Sequence, residues 1–143
     1  MTRIDFYISP SQDTQAGLQL VCRIAEKAWQ KQQRVYVCAN DPEQGQQLDD
    51  LLWVFRAGSF IPHCQSQDEN CAQAAVVIGT DNPPDMPTDV LINLKRDVPG
   101  FFSRFERVIE IVAGPEVQRN LARERFKFYR DRGYPLETHE LSS

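Results

Sequence analysis

The amino-acid sequence predicts an α/β fold, a mostly parallel twisted sheet of about five strands with helices on both faces. Short β-rich runs alternate along the chain with longer segments whose apolar residues recur every three or four positions. This alternation favours parallel strands joined by crossover helices. One run, residues 74–78, is apolar throughout, as expected for a strand buried on both faces.

The first half of the chain shows the alternation most clearly. Residues 3–8 form the first predicted strand, a helix runs from about Thr14 to Lys31, and residues 34–38 form the second strand. Asp41 and Pro42 begin a second helix, because aspartate caps helix N-termini and proline fits the first turn. That helix is expected to end near Gly58, and the segment from 59 to 73 breaks the alternation.

The second half adds three strands and one long helix. The strands are predicted at residues 74–78, 89–94 and 107–112, and the proline-rich stretch 79–88 separates the first two. The last helix begins at Pro115 and reaches about Arg132, where Gly133 stops it. The prediction is a single domain over residues 1–143, with a C-terminal tail expected to fray from about residue 134.

Composition excludes several classes of protein. The chain has 143 residues, 41% of them hydrophobic and 25% charged, which suits one globular domain. A net charge of −4 argues against a protein that binds nucleic acid over its whole surface. No apolar run is long enough to span a bilayer, and the N-terminus lacks the pattern of a signal peptide. The expected compartment is therefore the cytoplasm.

Motifs for catalysis are missing from the sequence. The seven glycines are scattered, so no glycine-rich phosphate loop is present, and there is no G-x-S-x-G nucleophile motif. His63 is expected to make a structural hydrogen bond, since no catalytic partner can be identified for it. We therefore predict no catalytic residues and no cofactor, and this favours a binding protein over an enzyme.

The four cysteines are predicted to be reduced and unpaired. None forms a C-x-x-C pair, and Cys22 and Cys38 lie among apolar residues, as small buried side chains do. A zinc site is the less favoured alternative because its ligands would be unusually spaced. Those ligands would be His63, Cys64, Cys71 and His139.

The last predicted helix is basic, with six cations against three anions between Pro115 and Arg132. At about 100° per residue its side chains separate into two faces. The apolar face, expected to meet the sheet, contains Val117, Leu121 and Phe128, with Glu124 projecting toward it. The opposite face contains Arg119, Arg123 and Arg130, and Phe126 borders it.

A basic stripe beside an aromatic ring suits an anionic, partly apolar peptide. Guanidinium groups hold carboxylates bidentately, so a C-terminal carboxylate with an apolar last side chain would match both features. The alternative is a solvated charged face with Phe126 in the core. A second candidate surface is the apolar stretch 51–55 with 59–62, which is either exposed to a partner or part of a helix buried all round.

Several stretches together carry a resemblance to one family. They are Asp5-Phe6-Tyr7, L-D-D-L-L-W at 48–53, S-F-I-P-H at 59–63, D-V-L-I-N-L at 89–94 and L-A-R-E-R-F-K-F-Y-R at 121–130, followed by Gly133. Each stretch alone is modest, but they occur in order over nearly the whole chain. The sequence resembles the chi subunits of bacterial DNA polymerase III, accessory proteins of the clamp-loader complex.

The resemblance implies a Rossmann-like fold that does not hydrolyse nucleotides and a non-catalytic adaptor function in DNA replication. Chi subunits bind the psi subunit and the acidic C-terminal tail of single-stranded DNA-binding protein, so contact with DNA would be indirect. The family's tail-binding positions match Val112, Arg119, Arg123 and Phe126, with arginine at 119 where lysine is familiar and phenylalanine at 126 where tyrosine is. Trp53 and Phe60 match the psi-facing surface.

Two other functions remain as alternatives. One is a degenerate nucleotide-binding enzyme or helicase-like fragment, which only the fold class supports. The other is direct binding of single-stranded DNA by the basic last helix, for which the stacking aromatic residues are few.

Overall fold

The computed structural model describes residues 2–55, 61–68 and 71–141. Its strands are β1 (Arg3–Ile8), β2 (Val35–Cys38), β3 (His63–Gln65), β4 (Val76–Gly79), β5 (Val90–Asn93), β6 (Arg107–Val112) and β7 (Leu136–Glu140). Its α-helices are α1 (Thr14–Gln30), α2 (Pro42–Val54) and α3 (Glu116–Asp131), and short 3-10 turns lie at Cys71–Gln73 and Phe102–Arg104. None of these helices is long and apolar enough to cross a lipid bilayer.

The strands form one parallel sheet in the order β3-β4-β2-β5-β6-β1-β7. The predicted α/β class and parallel sheet are confirmed, but the described residues contain seven strands rather than five. The two strands that were missed, β3 and β7, are the edges of the sheet. Edge strands face solvent and therefore lack the apolar runs that mark the inner strands.

The expected fraying of the C-terminal tail is wrong over Leu136–Glu140. This segment pairs with β1 along its whole length, and flanking hydrogen bonds extend the ladder at both ends. The amide of Ile4 donates to the Pro135 carbonyl at 3.0 Å, and the amide of Leu141 donates to the Ile8 carbonyl at 2.9 Å. Backbone pairing thus orders a sequence whose side chains are mostly polar.

Helices cover both faces of the sheet. The core on one face is built from α1 and α2 against the sheet, and it includes Leu18, Leu48 and Ile109. On the other face α3 and the turn around Phe102 pack against Phe6 and neighbouring residues. Asp13 caps α1 through the amide of Gln15, and Asp41 caps α2 through the amide of Gln44, which confirms the predicted start of α2.

The predicted inward face of α3 is wrong. Ala122, Arg125 and Tyr129 are the buried residues of this helix, whereas Val117 is 66% exposed and Glu124 lies in solvent. The helix is rotated from the orientation that its apolar residues suggest, because Arg125 and Tyr129 bind Glu110, a buried carboxylate on β6. The apolar stripe and the arginine stripe therefore flank the buried face on its two sides.

The prediction of four unpaired cysteines is correct for two of them. Cys22 and Cys38 are free and buried, and burial raises the pKa of Cys22 to about 12 and that of Cys38 to about 11. Cys64 and Cys71 instead form a disulfide, because β3 and the following 3-10 turn bring their Cα atoms to 5.8 Å. The alternative zinc set fails as well, since β3 and the strand containing His139 lie at opposite edges of the sheet.

Candidate functional site

A cavity of about 280 Å³ lies between α3 and the strands β6, β1 and β7. Its lining residues are Phe6, Ile8, Val112, Arg119, Ala122, Arg123, Phe126 and Thr138. We call it the α3 cavity. All four residues that the resemblance assigned to tail binding therefore line one site. They come from two elements: one from the end of β6 and three from successive turns of α3.

The floor of the α3 cavity is apolar. Phe6 and Ile8 are alternate residues of β1 and so point to the same face of the sheet, and Ile8 is paired with Val112 on β6. The ring of Phe126 packs edge-on against that of Phe6, with centroids 5.3 Å apart. The cavity thus offers a hydrophobic surface to an apolar side chain, with the Phe126 ring as one wall.

Arg119 brings a fixed positive charge to the rim of the cavity. Its Nη2 donates to the carbonyls of Ser9 at 2.7 Å and Ser11 at 3.0 Å, and its Nε donates to that of Gly114 at 3.1 Å. These carbonyls belong to the loops that follow β1 and β6, which meet because the two strands are parallel neighbours. Carbonyl oxygens hold the guanidinium without neutralising it, and within the described residues Nη1 makes no hydrogen bond.

Gly114 shapes the loop that holds Arg119. Its φ of +94° lies in the left-handed region, which glycine adopts without steric cost. Its amide donates to the Ser11 carbonyl at 3.1 Å, which joins the two loops directly. The backbone at the end of β6 therefore presents its carbonyls to Arg119 in a defined geometry.

Arg123 lies one turn further along α3 and is more exposed. Its side chain is 67% exposed, and its Nη1 contacts Glu116 at 2.9 Å and Asn120. Glu116 is 69% exposed, so this is a surface ion pair, which contributes little to stability and can be exchanged for another carboxylate. Arg130, the third arginine of the stripe, pairs with Asp131 at 3.4 Å, also in solvent.

A buried polar network, which the sequence analysis missed, sets the orientation of α3. Glu110 accepts hydrogen bonds from Arg125 at 2.8 Å, from Tyr129 at 2.7 Å and from Asn93 at 2.9 Å. Burial raises the pKa of Glu110, although the Arg125 cation opposes that shift. The only signal in the sequence is one glutamate inside the otherwise apolar run V-I-E-I-V, since its partners lie on other elements.

A second candidate surface lies on α2, remote from the α3 cavity. Trp53 is 62% exposed and Val54 is 73% exposed, while Leu48 and Leu52 on the same helix are buried. Of the two alternatives left open for this stretch, the structure shows exposed apolar surface and not a helix buried all round. Phe60, which the resemblance assigns to the same surface, lies outside the described residues.

His63 supports the exposed tryptophan. Its Nδ1 donates to the Ile61 carbonyl at 2.7 Å, which confirms the predicted structural hydrogen bond, and its ring meets that of Trp53 edge-on with centroids 4.7 Å apart. Its Nε2 lies 3.7 Å from a carboxylate oxygen of Asp49 on α2. Through His63, the strand β3 thus packs against the Trp53 ring of α2.

One cluster among the described residues has a geometry that could hold a metal ion. It consists of Asp5, Glu137 and His139, whose ligand atoms all lie within 4.8 Å of one another. The Asp5 carboxylate, however, accepts a 2.7 Å hydrogen bond from Arg107 and contacts the His139 ring at 3.1 Å. A guanidinium already compensates this carboxylate and would repel a metal cation, so the cluster suits an ion pair better than a metal centre.

The crevice where parallel sheets bind nucleotides contains a smaller cavity of about 170 Å³. Gly17, on the first turn of α1, is among its lining residues. A Cβ at this position would lie 3.2 Å from the Cβ of Ala113, so the glycine permits close packing of α1 against the end of β6. This role differs from the backbone approach to phosphate that glycines give in nucleotide-binding loops.

Comparison with known proteins agrees with the resemblance. The family model described as "DNA polymerase III chi subunit, HolC" matches residues 1–137. The DNA polymerase III subunit chi of Pseudomonas aeruginosa is 46% identical over 141 residues, which cover 99% of this chain and 98% of that protein. The subunit chi of Escherichia coli is 34% identical, with 96% and 97% covered. The chain therefore belongs to the DNA polymerase III chi subunit family, whose members are accessory subunits of that replicative polymerase.

Proposed function

We propose that this chain is a non-catalytic adaptor of the DNA polymerase III holoenzyme, acting in the cytoplasm. Its α3 cavity binds the acidic C-terminal tail of single-stranded DNA-binding protein, and the surface around Trp53 binds the psi subunit. The adaptor thereby links the clamp loader to DNA that is covered by single-stranded DNA-binding protein. The observation that supports the proposal most directly is the convergence of Val112, Arg119, Arg123 and Phe126 on one cavity.

The chemistry of the α3 cavity fits the end of an acidic peptide. A terminal carboxylate can bind a guanidinium through two charge-assisted hydrogen bonds, and the last side chain can enter the apolar floor. Arg119 suits the fixed contact, because backbone carbonyls hold its guanidinium and leave Nη1 available. Arg123 suits an adaptable contact, because its exposed pair with Glu116 exchanges readily.

The exposed arginines of α3 account for the preference for an acidic tail. Arg123 and Arg130 lie on exposed turns of α3 and attract acidic residues that precede the terminal carboxylate. Contacts of this kind speed the encounter and make it sensitive to salt, while each adds little affinity. Several tails on one DNA-bound tetramer of single-stranded DNA-binding protein raise the effective concentration of the tail and so compensate for a modest affinity.

Phe126 stands where the family often has tyrosine, and this affects how the cavity binds its ligand. The ring forms an apolar wall against Phe6, but it has no hydroxyl to donate to a carboxylate. We therefore assign the polar contacts of the ligand to Arg119 and Arg123 and only van der Waals contact to Phe126.

The variant Arg123→Ala tests tail binding. It should weaken binding of the tail peptide by about 1.5–3 kcal/mol, the scale of a hydrogen bond to a charged group. Isothermal titration calorimetry measures the change. Lys127→Ala is the matched control, because it removes the same charge from an exposed position of α3 that does not line the cavity.

The peptide provides an independent test of the carboxylate contact. A tail peptide with an amidated C-terminus should bind the wild-type chain at least about tenfold more weakly, which corresponds to about 1.4 kcal/mol. If the amidated peptide and Arg123→Ala both leave the affinity unchanged, tail binding at the α3 cavity is contradicted.

The variant Trp53→Ala tests psi binding. We expect it to release the psi subunit while leaving the affinity for the tail peptide unchanged, because Trp53 is a large exposed apolar residue on the face opposite the α3 cavity. Co-purification with psi and calorimetry with the peptide measure the two activities. Loss of both activities with an unchanged circular dichroism spectrum would contradict two separate binding surfaces.

A further inference from the structure

A second groove, of about 480 Å³, lies between α1 and the strand β1, with Arg107 at the start of β6 and Leu141 after β7 also in its lining. We call it the α1 groove. It is back to back with the α3 cavity, since Tyr7 lines the groove whereas Phe6 and Ile8 line the cavity, and alternate residues of a strand point to opposite faces. The function proposed above does not use this groove.

A row of cations borders the α1 groove. Arg23, Lys27 and Lys31 are exposed and lie four residues apart, so the row advances by about 6 Å from one cation to the next. Across the described part of the chain, none of the three side chains forms an ion pair or hydrogen bond. In a chain whose net charge is −4, this makes the groove a local site of uncompensated positive charge.

The floor of the groove is apolar, and its acidic group is buried. Leu20, Ile24 and Leu141 contribute hydrocarbon surface between the cations and the sheet. Glu26, the acidic residue among the lining residues, is buried and has a partner of its own. The groove therefore presents evenly spaced positive charge alongside apolar surface.

We propose that the α1 groove binds single-stranded DNA, with phosphates along the row of cations and bases against the apolar floor. Every phosphate of a strand is charged, so regular cations match it better than they match a peptide with scattered acidic residues. Membership of a DNA polymerase subunit family brings the chain close to such a strand. The inference does not depend on tail binding, because the two sites lie on opposite faces of β1.

This placement has a consequence for the adaptor. The tail of single-stranded DNA-binding protein and a stretch of uncovered strand could occupy the chain at the same time, since neither site shares a lining residue with the other. The affinity should be low and strongly dependent on salt, because phosphate contacts release counterions and their strength falls as salt rises.

Fluorescence anisotropy with the full chain and a labelled oligothymidylate of about 20 nucleotides tests the proposal at about 50 mM salt. The test variant is the triple replacement Arg23→Gln, Lys27→Gln and Lys31→Gln. The control replaces three other exposed cations that do not line the α1 groove, through Arg96→Gln, Arg104→Gln and Lys127→Gln. Both triples change the net charge equally, and all six side chains are at the surface.

We expect saturable binding by the wild type that weakens at least about tenfold in the α1 triple, with the salt slope reduced by about 2. The control triple should weaken binding by less than about threefold, and the α1 triple should keep the wild-type affinity for the tail peptide. The absence of binding at low salt, or equal losses in both triples, would overturn the proposal. Binding of a polyglutamate peptide in the α1 groove, without binding of oligothymidylate there, would also overturn the proposal.

Discussion

Arg123 and Arg125 lie two residues apart on α3 but in opposite environments. The side chain of Arg125 is 9% exposed, and it binds the fully buried Glu110 and the Arg96 carbonyl. The side chain of Arg123 is 67% exposed and pairs with Glu116 in solvent. The comparison shows that residue type alone does not separate an arginine that holds the helix from one that is available to a ligand.

The two arginines depend on each other through the orientation of α3. The bonds from Arg125 and Tyr129 to Glu110 fix the rotation of the helix on the sheet. That rotation directs Phe126 and Arg123 toward the α3 cavity. Buried ion pairs add little net stability but are costly to break, so the network defines the rotation more than it strengthens the fold.

The largest expected effect comes from breaking the buried pair. Arg125→Leu should lower the free energy of unfolding by about 3–5 kcal/mol, because it leaves the Glu110 carboxylate buried without its cation. Urea denaturation at pH 7 measures the change. The double variant Glu110→Leu with Arg125→Leu should recover much of the loss, since no buried charge remains.

A loss below about 1 kcal/mol in Arg125→Leu would contradict this account of the network. It would mean that Glu110 finds another partner or takes up a proton at little cost.

An intermediate effect is expected at the pair of Asp5 and Arg107, where the arginine side chain is 22% exposed. Burial would raise the pKa of Asp5, but hydrogen bonds from Arg107 and His139 lower it below its usual 3.8. A carboxylate with a lowered folded pKa stabilises the fold above the unfolded pKa, and this contribution is lost as the pH falls through the folded value.

The variant Arg107→Met should therefore lower the free energy of unfolding at pH 7 by about 1.5–3 kcal/mol, the scale of a hydrogen bond to a charged group. The difference from wild type should shrink as the pH is lowered below the usual carboxyl value of 3.8, because the lowered pKa of Asp5 is then reached and the carboxylate is protonated. Urea midpoints measured across this range test the sign. A difference that stays constant would show that the carboxylate is not the partner that matters.

The sequence predicts those parts of the fold that depend on apolar patterning. The inner strands were found because runs such as residues 74–78 have no polar side chains, and α2 was found because Asp41 and Pro42 mark its start. Strand β7 was missed because L-E-T-H-E has no apolar run, and backbone pairing with β1 orders it. The Cys64–Cys71 disulfide was missed because it depends on how β3 meets the turn after it.

The rotation of α3 was missed for a different reason. Glu110 on β6 and Arg125 on α3 each look unfavourable in a buried position when the sequence of their own element is considered alone. They become acceptable only as a pair, and periodicity within one element contains no information about the other. The α3 cavity shows the same limit. Its arginines lie on one helix and were predicted, whereas its floor at Phe6, Ile8 and Thr138 belongs to other elements and emerged only from the order of the strands.

The smallest expected effect is on stability in Arg123→Ala. Because Arg123 and Glu116 are both largely exposed, the variant should change the free energy of unfolding by less than about 0.5 kcal/mol. Urea denaturation beside Lys127→Ala measures it. A loss above about 1 kcal/mol would show that Arg123 supports the helix. Weaker tail binding by that variant could then arise from a distorted cavity, and only a stability close to wild type allows the loss of affinity to be assigned to a direct contact with the ligand.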